Sequence, residues 1–247
     1  MQVIILAAGI GIRLRPITYE VPKVMAKIRN KELILYQLES ISKIKNISEI
    51  IIVVGYKREK IKKLVGDRYK GIKIRYVDNI EYKTTNNIYS LYLALPYITE
   101  ELLLMEGDII FKPKLLKKVK RRRDTVFIEK YKPYMDGTIV EINENTKVIQ
   151  RLIPKREQGN FFDASSYYKT INIYHFTFKF IKEVYKPVLD LYISKFGKKD
   201  YYELIIGALV YLNVCCVYAE VIKDEMMWFE VDDIDDLKFA ENVLSRT

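Results

Sequence analysis

The chain has 247 residues, of which 49% are hydrophobic, and this length and composition are typical of one large α/β domain with a well-buried core. Its 42 basic and 32 acidic residues give a net charge of +10, which favours anionic partners such as nucleotides, phosphorylated metabolites or nucleic acid. The longest apolar stretch, residues 205–221, is interrupted by Tyr, Asn and Gly, and the first residues lack the pattern of a secretory leader. We therefore predict no membrane span and expect a cytoplasmic protein.

Strands and helices alternate through the first half of the chain, as expected for strand–helix–strand units with a parallel sheet. Runs of β-branched and other apolar residues predict strands at residues 3–6, 50–54, 72–77, 102–105 and 125–129. Helical spacing of apolar residues predicts helices at residues 32–44, 59–65 and 88–95, and Pro113 opens a further helix.

The second half changes character. Residues 138–142 and 147–152 flank Asn143-Glu144-Asn145, which predicts a hairpin. The remaining elements are predicted as strands at 169–176, 215–222 and 228–231, and as helices at 179–196, 201–212 and 234–244. The architecture is therefore a single α/β domain, residues 1–247, with a mostly parallel sheet: residues 1–130 form a nucleotide-binding half, and residues 131–247 form a smaller mixed-sheet half with a closing helix.

Two cysteines and one histidine bear on the chemistry. Cys215 and Cys216 are adjacent in a predicted strand, so they are expected to point to opposite faces and to be buried rather than joined in a disulfide or bound to a metal. Unpaired cysteines fit a reducing cytoplasm. His175 lies in an alternating run, and we expect it to pack rather than to catalyse.

The first strand runs into Ala7-Ala8-Gly9-Ile10-Gly11-Ile12-Arg13, with Pro22-Lys23 following. Small residues and glycines leave backbone N–H groups free to approach a polyphosphate, while Arg13 and Lys23 can neutralise its charge. The segment lacks the third glycine of a dinucleotide fingerprint, and the Gly-Lys-Ser/Thr of a P-loop is absent from the chain, as are kinase signatures. We predict a phosphate-binding loop of another type.

Three further segments combine with this loop: Thr85-Asn86-Asn87-Ile88-Tyr89-Ser90-Leu91, Glu106-Gly107-Asp108 and Trp228-Phe229-Glu230-Val231-Asp232-Asp233. In order and spacing they resemble the nucleotidyltransferases that activate sugar phosphates and related phosphorylated alcohols, over nearly the whole chain. The Asn87-Ile88 segment looks most like the cytidylyltransferases for phosphocholine or aminoethylphosphonate, to which inositol 1-phosphate enzymes are related. The resemblance implies a three-layer nucleotidyltransferase fold and transfer of CMP from CTP to a phosphate or phosphonate oxygen, with Mg²⁺ as cofactor and release of pyrophosphate.

The resemblance also implies residue roles. Lys23 would sit on the α-phosphate as a catalytic residue with Arg13 and Asp108, and Asp108 and Asp232 would bind the metal, with Asp233 as the adjacent alternative. Single aspartates here could also be turn or capping residues. The implied nucleotide site comprises Leu6, Ala7, Ala8, Gly9, Gly11, Arg13, Lys23, Asn87, Ser90 and Asp108.

The acceptor is read from the aromatic and acidic residues of the second half. A choline head group needs aromatic faces and negative charge, whereas an inositol ring needs several hydrogen-bonding side chains. Aromatic groups outnumber amides there, which favours an amino-alcohol phosphate or a phosphonate. Tyr174 and Trp228 are the candidate aromatic contacts and Lys155 the candidate phosphate ligand; Tyr131, Tyr134, Tyr167 and Tyr168 are further aromatic candidates, with Asp136, Asp163 and Glu230 as the acids.

Two other functions remain open from the sequence. One is a transferase for sugar 1-phosphates that uses another NTP, although Asn87-Ile88 departs from the Gly-Thr or Gly-Leu of some such enzymes. The other is a basic nucleic-acid-binding protein, but the chain has no recognisable nucleic-acid motif. We therefore expect CTP and a small phosphorylated acceptor as partners rather than nucleic acid or a membrane. The sequence leaves open whether the chain forms a homodimer.

Overall fold

The computed structural model describes residues 1–119, 122–159, 162–223 and 228–245. Its strands are β1 (Gln2–Ala7), β2 (Lys27–Ile28), β3 (Lys31–Glu32), β4 (Glu49–Val54), β5 (Arg68–Tyr69), β6 (Ile72–Asp78), β7 (Leu102–Glu106), β8 (Ile109–Phe111), β9 (Thr125–Lys130), β10 (Ile139–Ile142), β11 (Ile149–Ile153), β12 (Tyr168–Phe176), β13 (Tyr218–Ile222) and β14 (Trp228–Glu230). Its α-helices are α1 (Ile17–Glu20), α2 (Leu33–Ser42), α3 (Arg58–Val65), α4 (Asn87–Ala94), α5 (Pro113–Leu116), α6 (Phe178–Phe180), α7 (Lys186–Phe196), α8 (Glu203–Tyr211) and α9 (Ile234–Ser245).

The central sheet has the strand order β11-β10-β12-β7-β1-β4-β6-β5, and β9 pairs with β12 and with β13. Strands β7, β1, β4 and β6 are parallel to one another, with Val3 aligned to Ile50 on one side and to Leu103 on the other. Parallel strands end at the same edge of a sheet. The loops that follow β1 and β7 therefore meet at one edge, which is where ligands bind in open α/β sheets.

Both faces of this sheet are covered. Each residue of β1 and β4 is buried, which is why these strands read as continuous apolar runs. Ile4 and Leu6 face a core that includes side chains of α4, α7 and α8, while Val3 and Ile5 face a second core with α2 and α3. The chain is thus a single α/β domain with three layers and a mostly parallel central sheet, and the predicted fold class is confirmed.

The mixed half is organised by the long strand β12. It is antiparallel to β7, β9 and β10, and β10 and β11 form the predicted hairpin. The pairing of β12 with β9 shifts register between Thr170 and Tyr174, and Asn172 within this bulge has a left-handed backbone with φ of 55°. A bulge redirects the side chains of its strand, so the faces of β12 do not follow simple alternation.

Several predicted elements differ from the structure. Strand β13 begins at Tyr218, so Cys215 and Cys216 precede it; both are free thiols, and Cys216 is exposed, which corrects the expectation that both are buried. The predicted helix 179–196 is α6 and α7 joined by a π-helical turn, Ile181–Tyr185. Strand β8 was missed because it has three residues and pairs with β14, which is distant in sequence. In the described residues, no helix combines the length and apolar character needed to cross a membrane.

Candidate active site

A cleft with two adjoining chambers lies at the carboxyl ends of β1 and β7. The first chamber has a volume of about 520 Å³ and the second about 570 Å³. The sequence-predicted nucleotide residues all line the first chamber, together with Asp232. The residues that line both chambers are Arg13, Asn87, Glu106, Asp108, Tyr201 and Asp232.

The loop after β1 forms one wall of the first chamber. Gly11 has φ of 71°, which glycine adopts without strain, and a Cβ there would lie 2.7 Å from Cβ of Lys23. Gly9 is exposed, and a Cβ at that position would have no atom within 4 Å. Gly11 therefore makes room for the lysine, while Gly9 leaves the loop backbone open on the cleft side.

Gly107 brings the second motif against the first. Its N–H donates to the Leu6 carbonyl at 2.9 Å, and a Cβ would lie 2.5 Å from Cγ1 of Val24 and 2.9 Å from that carbonyl oxygen. Only a residue without a side chain fits between these groups. The turn therefore holds Asp108 directly beside the end of β1.

Lys23 lies between two carboxylates from distant parts of the chain. Its Nζ is 2.6 Å from Oδ2 of Asp108 and 2.6 Å from Oδ1 of Asp232, and Nη2 of Arg13 is 2.7 Å from that same Asp232 oxygen. Burial alone lowers the pKa of Lys23, but the two carboxylates outweigh burial and raise that pKa above its usual value. For Asp232 the directions are reversed: burial raises the pKa of its carboxyl group, but Lys23 and Arg13 outweigh burial and hold that pKa below its ordinary value. This arrangement is a compact cluster of alternating charge.

The two adjacent aspartates near α9 have different positions. Oδ1 of Asp233 accepts from the backbone N–H groups of Asp235 and Asp236, at 2.9 and 3.0 Å, so Asp233 caps α9. Oδ2 of Asp236 accepts in return from the N–H groups of Asp232 and Asp233. The side chain of Asp232 faces the cleft instead. The geometry therefore favours Asp232 over Asp233 as the candidate metal ligand.

The start of α4 contributes amide and hydroxyl groups. Asn86, rather than Asn87, caps the helix, by accepting from the Asn87 N–H at 2.8 Å. Asn87 Nδ2 donates to Oε1 of Glu106 at 3.2 Å. Ser90 is buried and accepts from Nδ2 of Asn79 at 3.1 Å. Asn79 was missed in the sequence, although it directly follows β6 in the way that the Gly107-Asp108 turn follows β7.

The second chamber has a polar wall built on β12, β14 and α8. Lys169 is buried, and its Nζ donates to the Thr170 carbonyl at 2.6 Å and lies 3.3 Å from Oε2 of Glu230. Asn172 Nδ2 donates to the other oxygen of Glu230 at 2.8 Å. Burial raises the pKa of Glu230 to about 7, while the Lys169 ammonium opposes the rise and Asp108 adds to it. Sequence analysis treated Glu230 as one of several acids and missed Lys169 and Asn172, because the bulge in β12 decides where they point.

Glu106 lies where the two chambers meet. Burial raises its pKa well above the ordinary value, and the neighbouring carboxyl groups of Asp108, Glu203 and Glu230 add to that rise. Glu203 is itself buried and accepts from the hydroxyl of Tyr174 at 2.8 Å. The junction is therefore rich in carboxyl groups, and the sequence analysis had assigned Glu106 no role.

The predicted aromatic acceptor contacts need correction. Tyr174 is fully buried, packs edge-to-face on Tyr202 and lines neither chamber. Trp228 is 7% exposed, and its Nε1 donates to Oε2 of Glu129 at 2.5 Å on the opposite core. Both are core residues: Tyr174 belongs to the core that includes α4, α7 and α8, and Trp228 belongs to the core that includes α2 and α3.

Other predicted residues of the second half have clear positions. Lys155 lines the second chamber, where its Nζ is 2.6 Å from Oδ1 of Asp136. Tyr131 and Tyr167 pack against a small cluster, Tyr134 is exposed, and Tyr168 donates to Glu144 outside the chambers. His175 is fully buried, with Nδ1 2.9 Å from the Arg123 carbonyl, so the packing role expected for it is confirmed.

Residues 197–202 connect α7 to α8 and border both chambers; we refer to them as the connecting segment. The Lys198 carbonyl accepts from the Asn86 N–H, and Oδ1 of Asn87 accepts from the Tyr202 N–H at 3.1 Å. Asp200 forms an ion pair with Arg156 of the second chamber. Among the described residues that line the second chamber, Tyr201 is the one aromatic residue, and it is 45% exposed.

Comparison with known proteins agrees with this geometry. The family described as nucleotidyl transferase matches residues 2–205. The chain is 28% identical over 243 residues to a CMP-5'-(3-aminopropyl)phosphonate synthase of Streptomyces rubellomurinus, covering 98% of this chain but only 38% of that relative's length. It is 29% identical to a choline-phosphate cytidylyltransferase of Streptococcus pneumoniae, over 99% of this chain and 98% of that one. A solved structure of the CTP:phosphocholine cytidylyltransferase from Streptococcus pneumoniae has the same fold, with a TM-score of 0.79 at 24% identity and 98% coverage of both chains.

Proposed function

The chain belongs to the nucleotidyl transferase family, and on that basis we propose that it transfers CMP from CTP to a phosphate or phosphonate oxygen of a small acceptor, releasing pyrophosphate. The observation that carries the proposal is the cluster of Lys23, Asp108 and Asp232 at the junction of two chambers, one for each substrate. Two relatives, the CMP-5'-(3-aminopropyl)phosphonate synthase and the choline-phosphate cytidylyltransferase, support CTP as the donor.

The chemistry needs little from the protein beyond position and charge. The acceptor oxygen is already ionised near neutral pH, so no activated serine or cysteine is required. In this proposal Lys23 acts on the α-phosphate, where negative charge grows during the transfer, and Arg13 acts on the phosphates that leave as pyrophosphate. The open backbone around Gly9 and Gly11 offers N–H donors to the same phosphates.

Magnesium is the cofactor that this site would accommodate. Oδ1 of Asp108 is buried without a hydrogen-bond partner in the described residues, which fits an atom that binds a cation. Asp108 and Asp232 would hold Mg²⁺, which commonly takes one or two protein carboxylates and completes its coordination with substrate phosphates and water. When bound, Mg²⁺ would offset charge on the triphosphate.

Pyrophosphate release, measured with each of the four NTPs against a panel of phosphorylated acceptors, tests the proposal. We expect turnover with CTP and a small phosphate or phosphonate, and loss of turnover when EDTA removes divalent cations. Turnover with another NTP and a sugar 1-phosphate alone would replace this function with the sugar-nucleotide alternative. A cytoplasmic location stays a prediction, tested by cell fractionation, and light scattering of the purified protein tests for a homodimer.

A further inference from the structure

The wall of the second chamber has an uneven supply of hydrogen-bonding groups. Its amide and ammonium donors already point at carboxylates: Asn87 donates to Glu106, and Asn172 and Lys169 both contact Glu230. The carboxyl oxygens outnumber these donors. A ligand that enters this wall therefore meets mainly acceptors.

Glu106 has one side-chain hydrogen-bond partner and no cationic partner in the described residues. Its Oε1 accepts from the Asn87 amide at 3.2 Å, and its Oε2 has no hydrogen-bond partner in the described parts of the chain. No lysine or arginine of the described residues lies within ion-pair distance of it, whereas Glu230 has Lys169 and Asp136 has Lys155. Glu106 nevertheless borders both chambers, so a group bound in either can reach it.

The possible head groups differ in what they offer such a wall. A primary ammonium has three donors and no acceptor, so it matches free carboxylate oxygens. A quaternary ammonium has no donor and is bound by aromatic faces, but the described lining of the second chamber contains Tyr201 alone. A polyol needs donors as well as acceptors from the protein, and the donors of this wall are already engaged.

We propose that Glu106 binds the primary ammonium group of the acceptor, which is therefore an amino-alcohol phosphate or an aminoalkylphosphonate rather than phosphocholine or inositol phosphate. This inference rests on the proposed function and narrows its acceptor class.

The test is a matched series of acceptors at saturating CTP: phosphoethanolamine, its mono-, di- and trimethyl forms, its hydroxyl counterpart 2-hydroxyethyl phosphate, and inositol 1-phosphate. Since a hydrogen bond to a charged group contributes roughly 1.5–3 kcal/mol, we expect kcat/KM to fall about 10- to 100-fold from the primary amine to the trimethyl form and to the hydroxyl form. A preference for phosphocholine or inositol 1-phosphate would overturn the inference and leave the transferase intact.

Glu106→Gln keeps the shape and the Asn87 contact but removes the charge. We expect this variant to reduce the amine-to-hydroxyl ratio of kcat/KM to near one while the CTP dissociation constant stays within about twofold. Glu141→Gln, on β10 outside both chambers, is the matched control and should keep the wild-type ratio. An equal loss with every acceptor in Glu106→Gln would assign the residue a structural role instead and contradict the inference.

Calorimetric binding of phosphoethanolamine separates the two proposals because it needs no turnover. Binding that is lost in Glu106→Gln, in a protein that releases no pyrophosphate from CTP with any acceptor, would support the ammonium site and reject the transferase. Turnover with CTP, together with phosphoethanolamine binding that Glu106→Gln leaves unchanged, would support the transferase and reject the ammonium site at Glu106.

Discussion

The two chambers of the cleft are built in different ways. The first is made largely of loop backbone and of short motifs that directly follow β1 and β7, including Gly11 and Gly107. The second is made of side chains from β12, β14, the hairpin and α8, and its wall depends on the bulge at Asn172. A pocket lined by backbone N–H groups suits a triphosphate, whereas a wall of side chains can be adapted to a particular acceptor.

The largest expected effect lies at the junction of the two chambers. Asp108→Asn and Asp232→Asn each remove one carboxylate charge at nearly constant shape, and we expect kcat to fall by about 10²–10³-fold or more with little loss of thermal stability. Asp233→Asn is the matched control, because that side chain caps α9 and does not face the cleft. Near wild-type turnover in both cleft variants would show that the metal assignment is wrong.

Lys23 should affect chemistry more than nucleotide affinity. Because it acts where charge grows at the α-phosphate, Lys23→Ala is expected to lower kcat by about 100-fold while CTP binding weakens less. The same variant removes the cation that lies 2.6 Å from both aspartates, so we expect it to bind Mn²⁺ without nucleotide about 10-fold more tightly than the wild type, as measured by electron paramagnetic resonance. Unchanged kcat with a raised KM would reduce Lys23 to a binding residue.

Asn172 tests whether the second chamber depends on the bulge. Asn172→Val places a β-branched side chain at φ of 55°, which costs roughly 1–2 kcal/mol of folding free energy. Asn172→Gly keeps the backbone and removes the side-chain contacts to Glu230 and Thr170. We expect both variants to raise the acceptor KM, neither to change CTP affinity, and only the valine variant to melt earlier. If CTP affinity falls as much as acceptor affinity, the bulge at Asn172 supports both chambers and not the second chamber alone.

The smallest effect is expected at the α9 cap. Asp233→Ala should cost about 1 kcal/mol and lower the melting temperature by about 2–4 °C, because the N–H groups of Asp235 and Asp236 lose their acceptor. Differential scanning calorimetry measures this change, and turnover should remain within about twofold. A large loss of turnover would instead indicate that Asp233 takes part in metal binding.

The same contrast explains what the sequence could predict. The glycine loop and Asp108 could be located because each follows a buried strand, and the parallel sheet brings the strand ends together. Lys23 could be located from the spacing of Pro22-Lys23 after the glycine loop. The three-layer fold could be predicted because both faces of β1 and β4 are apolar. These features depend on local pattern and on the resemblance that the motifs carry.

The acceptor side could not be predicted in the same way. The aromatic content of the second half suggested Tyr174 for the site, but β12 directs it into the core, and the register shift beside it brings Lys169 and Asn172 to the chamber instead. Aromatic content was therefore a misleading guide to an aromatic cage. Glu106 was missed because nothing near it in sequence reveals that its partners in space are other carboxyl groups.

The connecting segment has a consequence for how the two substrates bind. It holds the start of α4 beside the nucleotide chamber through Asn87, and it holds Arg156 of the acceptor chamber through Asp200. If one substrate orders this segment, the free energy of binding the other changes as well. Thermodynamic linkage requires the effect to be reciprocal, so the factor by which CTP tightens acceptor binding must equal the factor by which the acceptor tightens CTP binding.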